Sequence, residues 1–294
     1  MPSPQFEKLV QILHDRRGPP GLDVGRLRAG MEATAFPVPG DAEVVTGSLG
    51  GVDFEVVSTP GADPDRTLLY LHGGGFVMGS PNTHRKLAAD LSRAAGVRVM
   101  VPDYPLAPEH PFPAAIEAIT SLYTALLATG GPADRIAIGG DSAGGGLTVA
   151  TLLAWRDRGL VLPAAALVIS PWVDLTGAEV LDPALVERDP ICSPESLDTM
   201  GRWYLADADP RQPLVSPVLA DLTGFPPLLI HVGEAEILVG GSRALAERAA
   251  AAGVDVTLDV WPDMIHVWHV FAGRVPESTD AVERAGAWIA KALV

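Results

Sequence analysis

The chain has 294 residues, of which 48% are hydrophobic and 19% charged, and its 21 basic against 36 acidic side chains give a formal charge of −15. A chain this long buries roughly three quarters of its extended-chain surface, which excludes a disordered polymer and leaves one large domain or two ordinary ones. The acidic excess repels phosphate backbones and anionic lipid heads, so nucleic acid and membrane surfaces are poor partners.

Cys192 is the single cysteine, so no internal disulfide forms and the sequence implies no oxidising compartment. Charged residues from Glu7 to Arg17 interrupt the stretch where a signal peptide needs an apolar core, and no run reaches the about 18 apolar residues of a membrane span. A soluble, cytoplasmic protein is expected.

In chain order, Phe6, Leu9, Val10 and Leu13 form a short amphipathic pattern that ends in the breakers Gly18, Pro19, Pro20 and Gly21. A second helical pattern follows near Val24 to Met31. These read as an arm. From about residue 52, short apolar runs alternate with helix-period stretches. Strands are predicted at 52–57, 68–72, 97–101, 135–139, 165–170, 228–232 and 256–260. Helices are predicted at 84–95, 114–128, 143–158, 242–252 and 281–292. Alternation of this kind predicts a mostly parallel central sheet with helices on both faces. More than fifty Pro-rich and acidic residues between Ser170 and Leu228, with one helical stretch near 196–205, break the rhythm and predict an inserted helical cap. The expected division is a helical arm belonging to the cap at 1–45, the sheet domain at 46–171, cap at 172–225 and the sheet domain again at 226–294.

The strand ending at Gly139 runs into Gly140-Asp141-Ser142-Ala143-Gly144 and then into a helix. Gly-x-Ser-x-Gly in this strand–turn–helix setting is a nucleophile elbow, which lifts Ser142 above the sheet. Upstream, His72-Gly73-Gly74-Gly75-Phe76 follows an apolar strand. Its glycines let amide N–H groups converge, and Gly73, Gly74 and Ala143 are the predicted oxyanion-hole donors. A phosphate cradle is disfavoured, because no Lys-Ser or Lys-Thr follows the glycines. Ser142 needs a base. His266, on a loop after the last predicted strand, is the candidate, with His269 as alternative. The acid follows the preceding strand, in Gly233-Glu234-Ala235-Glu236, where spacing alone does not separate Glu236 from Glu234.

These motifs, with Leu106-Ala107-Pro108-Glu109-His110-Pro111-Phe112-Pro113 and Ser170-Pro171-Trp172-Val173-Asp174-Leu175, resemble the hormone-sensitive-lipase-like branch of the α/β-hydrolases from about Val52 onward. That family comprises serine carboxylesterases with a cap. The resemblance implies an α/β-hydrolase fold and a Ser142–His266 pair, and it aligns Glu236-Ile237-Leu238 with the family's acid motif, selecting Glu236. It implies hydrolysis of short to medium acyl esters through an acyl-enzyme, without metal or organic cofactor. A lactonase, an amidase, a natural-product deacetylase or a non-catalytic ligand receptor are the competing readings. Trp172, Met200, Trp203 and Tyr204 are candidate pocket residues. Two departures stand out: Pro105 where the family often has Arg, and Gly240-Gly241 where an acidic pair is common, with Ser242 available as a substitute helix cap. An exposed edge strand near Leu258 would permit a homodimer.

Overall fold

A computed structural model describes residues 2–15, 23–177 and 183–293. The predicted breakers from Gly18 to Gly21, and part of the inserted segment, lie outside the described residues.

The N-terminal arm consists of α1 (Pro4–Asp15) and α2 (Val24–Ala33). The strands are β1 (Glu43–Leu49), β2 (Val52–Ser58), β3 (Asp63–Leu71), β4 (Val97–Pro102), β5 (Ile136–Asp141), β6 (Ala165–Ile169), β7 (Leu228–Gly233) and β8 (Val256–Trp261). They form one sheet in the order β1-β2-β4-β3-β5-β6-β7-β8. Pairing is antiparallel between β1 and β2 and between β2 and β4, and parallel from β4 to β8.

The main helices are α3 (Pro81–Ala95), α4 (Ala114–Ala128) and α5 (Ala143–Asp157), then α6 (Pro183–Arg188) and α7 (Pro194–Leu205) in the inserted segment, and finally α8 (Val239–Ala251) and α9 (Pro276–Ala292). Alternate strand residues feed opposite faces, as the two-residue strand period requires. Leu69, Leu71, Ile138 and Val168 join the cluster containing α4, α5 and α8, whereas Leu68, Tyr70, Ala137 and Leu167 join the one containing α3 and α9. The central strands are therefore buried on both sides.

β1 is absent from the predicted strands. It is an edge strand with no fully buried residue, so its sequence carries no inward apolar alternation. A Gly50-Gly51 turn with φ of 61° and 81° joins it to β2, the left-handed pair a two-residue hairpin turn requires. β1 crosses the expected arm border between residues 45 and 46. Helices α3 and α9 begin earlier than predicted, at Pro81 and Pro276, because proline is tolerated in the first turn. Ser242 is not a cap: Leu238 holds the N-cap position of α8 without a side-chain bond, and Ser242 bonds back to the Leu238 carbonyl. β8 is the other edge, carrying Leu258. Among the described residues no helix is long and apolar enough to cross a membrane.

Candidate active site

The register brings the C-terminal ends of four parallel strands together: Leu71 lies opposite Gly140, Asp141 opposite Ile169, and Ile169 opposite His231. Chain order reverses beside β3, with β4 on one side and β5 on the other, and a crevice forms where the following loops diverge. The glycine loop follows β3, Ser142 follows β5 and Glu236 follows β7, while His266 comes from the loop after the neighbouring β8.

Ser142 occupies the turn between β5 and α5 with φ 53° and ψ −121°, a conformation costly for a residue with a Cβ. The neighbouring glycines make that turn possible. A Cβ at Gly144 would overlap the Leu71 and His72 carbonyl oxygens, and one at Gly140 would come within 2.5 Å of the Gly144 oxygen. The turn is held from outside, since Ser142 donates its amide to Ile169 and accepts the Trp172 amide.

A continuous hydrogen-bonded chain leads away from Ser142. His266 Nε2 lies 2.9 Å from Ser142 Oγ, and His266 Nδ1 lies 2.6 Å from Glu236 Oε2. Glu236 is fully buried, and its second oxygen accepts from the Gly233 amide at 2.6 Å and the Ser170 hydroxyl at 2.8 Å. Ser170 Oγ in turn accepts the Val267 amide at 3.1 Å, so one hydroxyl braces both the acid and the residue after the histidine. Burial opposes protonation of His266, yet the facing Cys192 and Glu236 side chains hold its pKa well above the ordinary histidine value. Burial pushes the Cys192 thiol up, and the neighbouring His266 works against that shift.

Other candidates fall elsewhere. Glu234 is exposed. His269 is buried against His231 at 3.1 Å, and burial drives it well below the usual histidine range.

The glycine loop needs a correction. The Gly73 amide is already engaged: it donates to Asp141 Oδ1, 3.2 Å away, with His84 Nε2 3.3 Å from the same nitrogen. Gly74 and Gly75, with φ of 120° and 61°, line the cavity beside Ser142 instead. Behind them, buried Asp141 accepts from Tyr70 at 2.9 Å. Burial raises its pKa, but His84 and the hydrogen bonds from His84 and Tyr70 more than offset this and hold the carboxyl below the usual range. Tyr104 stacks on His72 and donates to its carbonyl at 2.6 Å. Burial and the neighbouring His84 push His72 down to about 3, so His72 is neutral, with Nδ1 bonded to the Gly73 carbonyl.

A largely apolar cavity of about 640 Å³ opens over Ser142 and His266. The inserted segment contributes Trp172, Ile191, Cys192 and Met200, and α2 contributes Leu27 and Met31. Trp203 and Tyr204, predicted to line it, do not. Tyr204 stacks on Phe76 at 3.9 Å and is buried, and Trp203 packs on the core beneath α7. On a single helix, spacing alone does not tell which aromatic side chains face the cavity and which dock the helix. Arm helix α1 lies away from the cavity: its Phe6 packs with Met264, Ile265 and Trp268, under the loop that carries His266.

Comparison with known proteins agrees with this architecture. Residues 68–270 match a family model described as an α/β-hydrolase fold. An acetyl-hydrolase of Streptomyces hygroscopicus is 43% identical over 296 residues, covering 98% of this chain and 97% of that one. The crystal structure of EstE5 soaked with p-nitrophenyl butyrate superposes with a TM-score of 0.96 at 43% identity, covering 99% of both chains. That of an esterase from the bacterial hormone-sensitive lipase family gives 0.96 at 42%, covering all of both. The chain belongs to the hormone-sensitive-lipase-like esterases of the α/β-hydrolase family.

Proposed function

We propose that the protein is a carboxylesterase that cleaves short to medium acyl esters through a Ser142–His266–Glu236 triad and an acyl-enzyme. The observation that carries this reading is the unbroken Ser142–His266–Glu236 hydrogen-bond chain at the floor of an apolar cavity. Neutral His266 takes the Ser142 proton on Nε2 as the oxygen attacks the ester carbonyl, and Glu236 stabilises the resulting imidazolium through Nδ1. The carbonyl electron pair moves onto oxygen, where the amides of Gly74, Gly75 and Ala143 serve as donors, Gly73 being engaged by Asp141. Collapse expels the alcohol, which takes the proton from His266. Water then attacks the acyl-Ser142 ester by the same route and releases the acid.

The inserted segment and α2 act as a cap that shapes the acyl and alcohol sites. Cleavage of acetyl esters is a second reading, favoured by the similarity to the Streptomyces acetyl-hydrolase over nearly the whole chain. A receptor role is disfavoured, because the base and nucleophile are both in hydrogen-bonding contact. Purified enzyme should hydrolyse p-nitrophenyl butyrate, and Ser142→Ala should abolish turnover without changing the circular dichroism spectrum. Wild-type turnover by Ser142→Ala would refute the mechanism. A series of p-nitrophenyl esters from acetate to dodecanoate separates the two readings: a maximum at acetate selects the deacetylating one.

A further inference from the structure

We infer that Asp189, in the inserted segment, is a positioning residue for Glu236, so that docking of this segment completes the acid turn as well as roofing the cavity. The inference rests on the triad proposed above. Asp189 follows α6 and is fully buried, and no step of that chemistry uses it.

Among the described residues, its carboxylate gathers three backbone amides. Oδ1 accepts from Ile191 and Cys192, each at 2.9 Å, and Oδ2 accepts from Ile237 at 3.1 Å. The first two amides belong to the stretch whose Ile191 and Cys192 line the cavity. The third belongs to the peptide joining Glu236 to Ile237. Fixing that peptide plane fixes the direction in which the Glu236 side chain leaves the backbone toward His266. One carboxylate therefore ties the cavity wall to the acid, across 48 residues of sequence. Buried acceptors persist where their lone pairs are filled, and three amides from two separate segments do this only when the inserted segment is docked.

Asparagine has nearly the same shape but a single acceptor oxygen. Asp189→Asn can keep both bonds within its own loop, and it then presents N–H to the Ile237 N–H, donor against donor. The variant thus cuts the link to the acid while sparing the cavity wall.

The test is a double-mutant cycle of Asp189→Asn with Glu236→Gln in the full chain. It measures p-nitrophenyl butyrate hydrolysis per active site titrated to completion with a fluorophosphonate, so that unfolded molecules do not count. Asp189→Asn should lower kcat about 10-fold with KM nearly unchanged, within the range for slight misplacement of a reacting group. In the Glu236→Gln background the same change should cost less than about 2-fold, since the carboxylate it positions is gone. Equal losses in both backgrounds, or wild-type kcat in Asp189→Asn, would overturn the inference. Wild-type kcat in Glu236→Gln would instead overturn the triad itself. If Asp189→Asn yields no titratable sites, Asp189→Glu, which keeps the charge but lengthens the side chain, takes its place with the same two outcomes.

Discussion

The turn that carries Ser142 and the segment that roofs it are built on different principles. At the turn, backbone meets backbone: the Gly140, Gly144 and Gly146 positions have carbonyl oxygens where a Cβ would stand. The roof is docked by side chains: Tyr204 stacks on Phe76, Met200 presses on Gly75, and Asp189 reaches the Ile237 amide. Backbone sterics tolerate almost no alternatives, whereas side-chain docking admits many solutions of similar energy. The turn should therefore fail abruptly when altered, and the roof should degrade by degrees.

Ordered by expected size, four changes probe that contrast. Gly144→Ala drives a methyl group into the Leu71 and His72 carbonyls. It should cost more than about 4 kcal/mol of stability, read as loss of the folded protein or a collapse of Tm. A Gly144→Ala variant with wild-type Tm would show the turn to be adaptable and erase the contrast. His266→Ala should leave the fold but remove the proposed base, and kcat should fall by about 10⁶-fold, the scale of losing such a group from a triad. Ser170→Ala, which unties Glu236 from the Val267 amide, should lower kcat about 10-fold while leaving KM almost unchanged. Met200→Ala, in the roof, enlarges the cavity, and it should change KM for butyrate a few-fold and kcat by less than about 3-fold, because it touches binding more than the reacting atoms. A larger loss of kcat in Met200→Ala than in Ser170→Ala would invert the comparison.

Acidity offers a further probe of the triad. In the proposed mechanism His266 serves as the base only when neutral, and its pKa is raised. Activity should therefore be lost as pH falls through that raised value, with the midpoint of the acid limb above the ordinary 6.5 of histidine. Glu236→Gln removes the anion facing Nδ1, which lowers the pKa, so the limb should move to lower pH even as the maximal rate drops. An unmoved limb would detach Glu236 from His266.

Legibility in the sequence follows the same division. Ser142 and the strands of the sheet are readable, because a short glycine pattern and two-sided burial leave direct marks on residue type. Chain order places His266, and only family resemblance separates Glu236 from Glu234. Sequence misassigns Gly73, since which of three consecutive glycines turns its amide outward depends on Asp141 and His84, which arrive from other elements. It misplaces Trp203 and Tyr204 for the same reason, as helix α7 docks through Tyr204 and Phe76. Edge strand β1 escapes notice because it buries no side chain fully. Asp189 leaves no mark, because the partners it has among the described residues are backbone amides, two of them in its own loop and one in the acid turn.

The central claim is covalent catalysis at Ser142, and peptide mass spectrometry of enzyme reacted with a fluorophosphonate tests it most directly. Covalent catalysis there predicts a stoichiometric adduct on the peptide containing Ser142, with activity lost in proportion to labelling and no adduct in Ser142→Ala. An adduct on another residue, or full activity in the completely labelled enzyme, would contradict it.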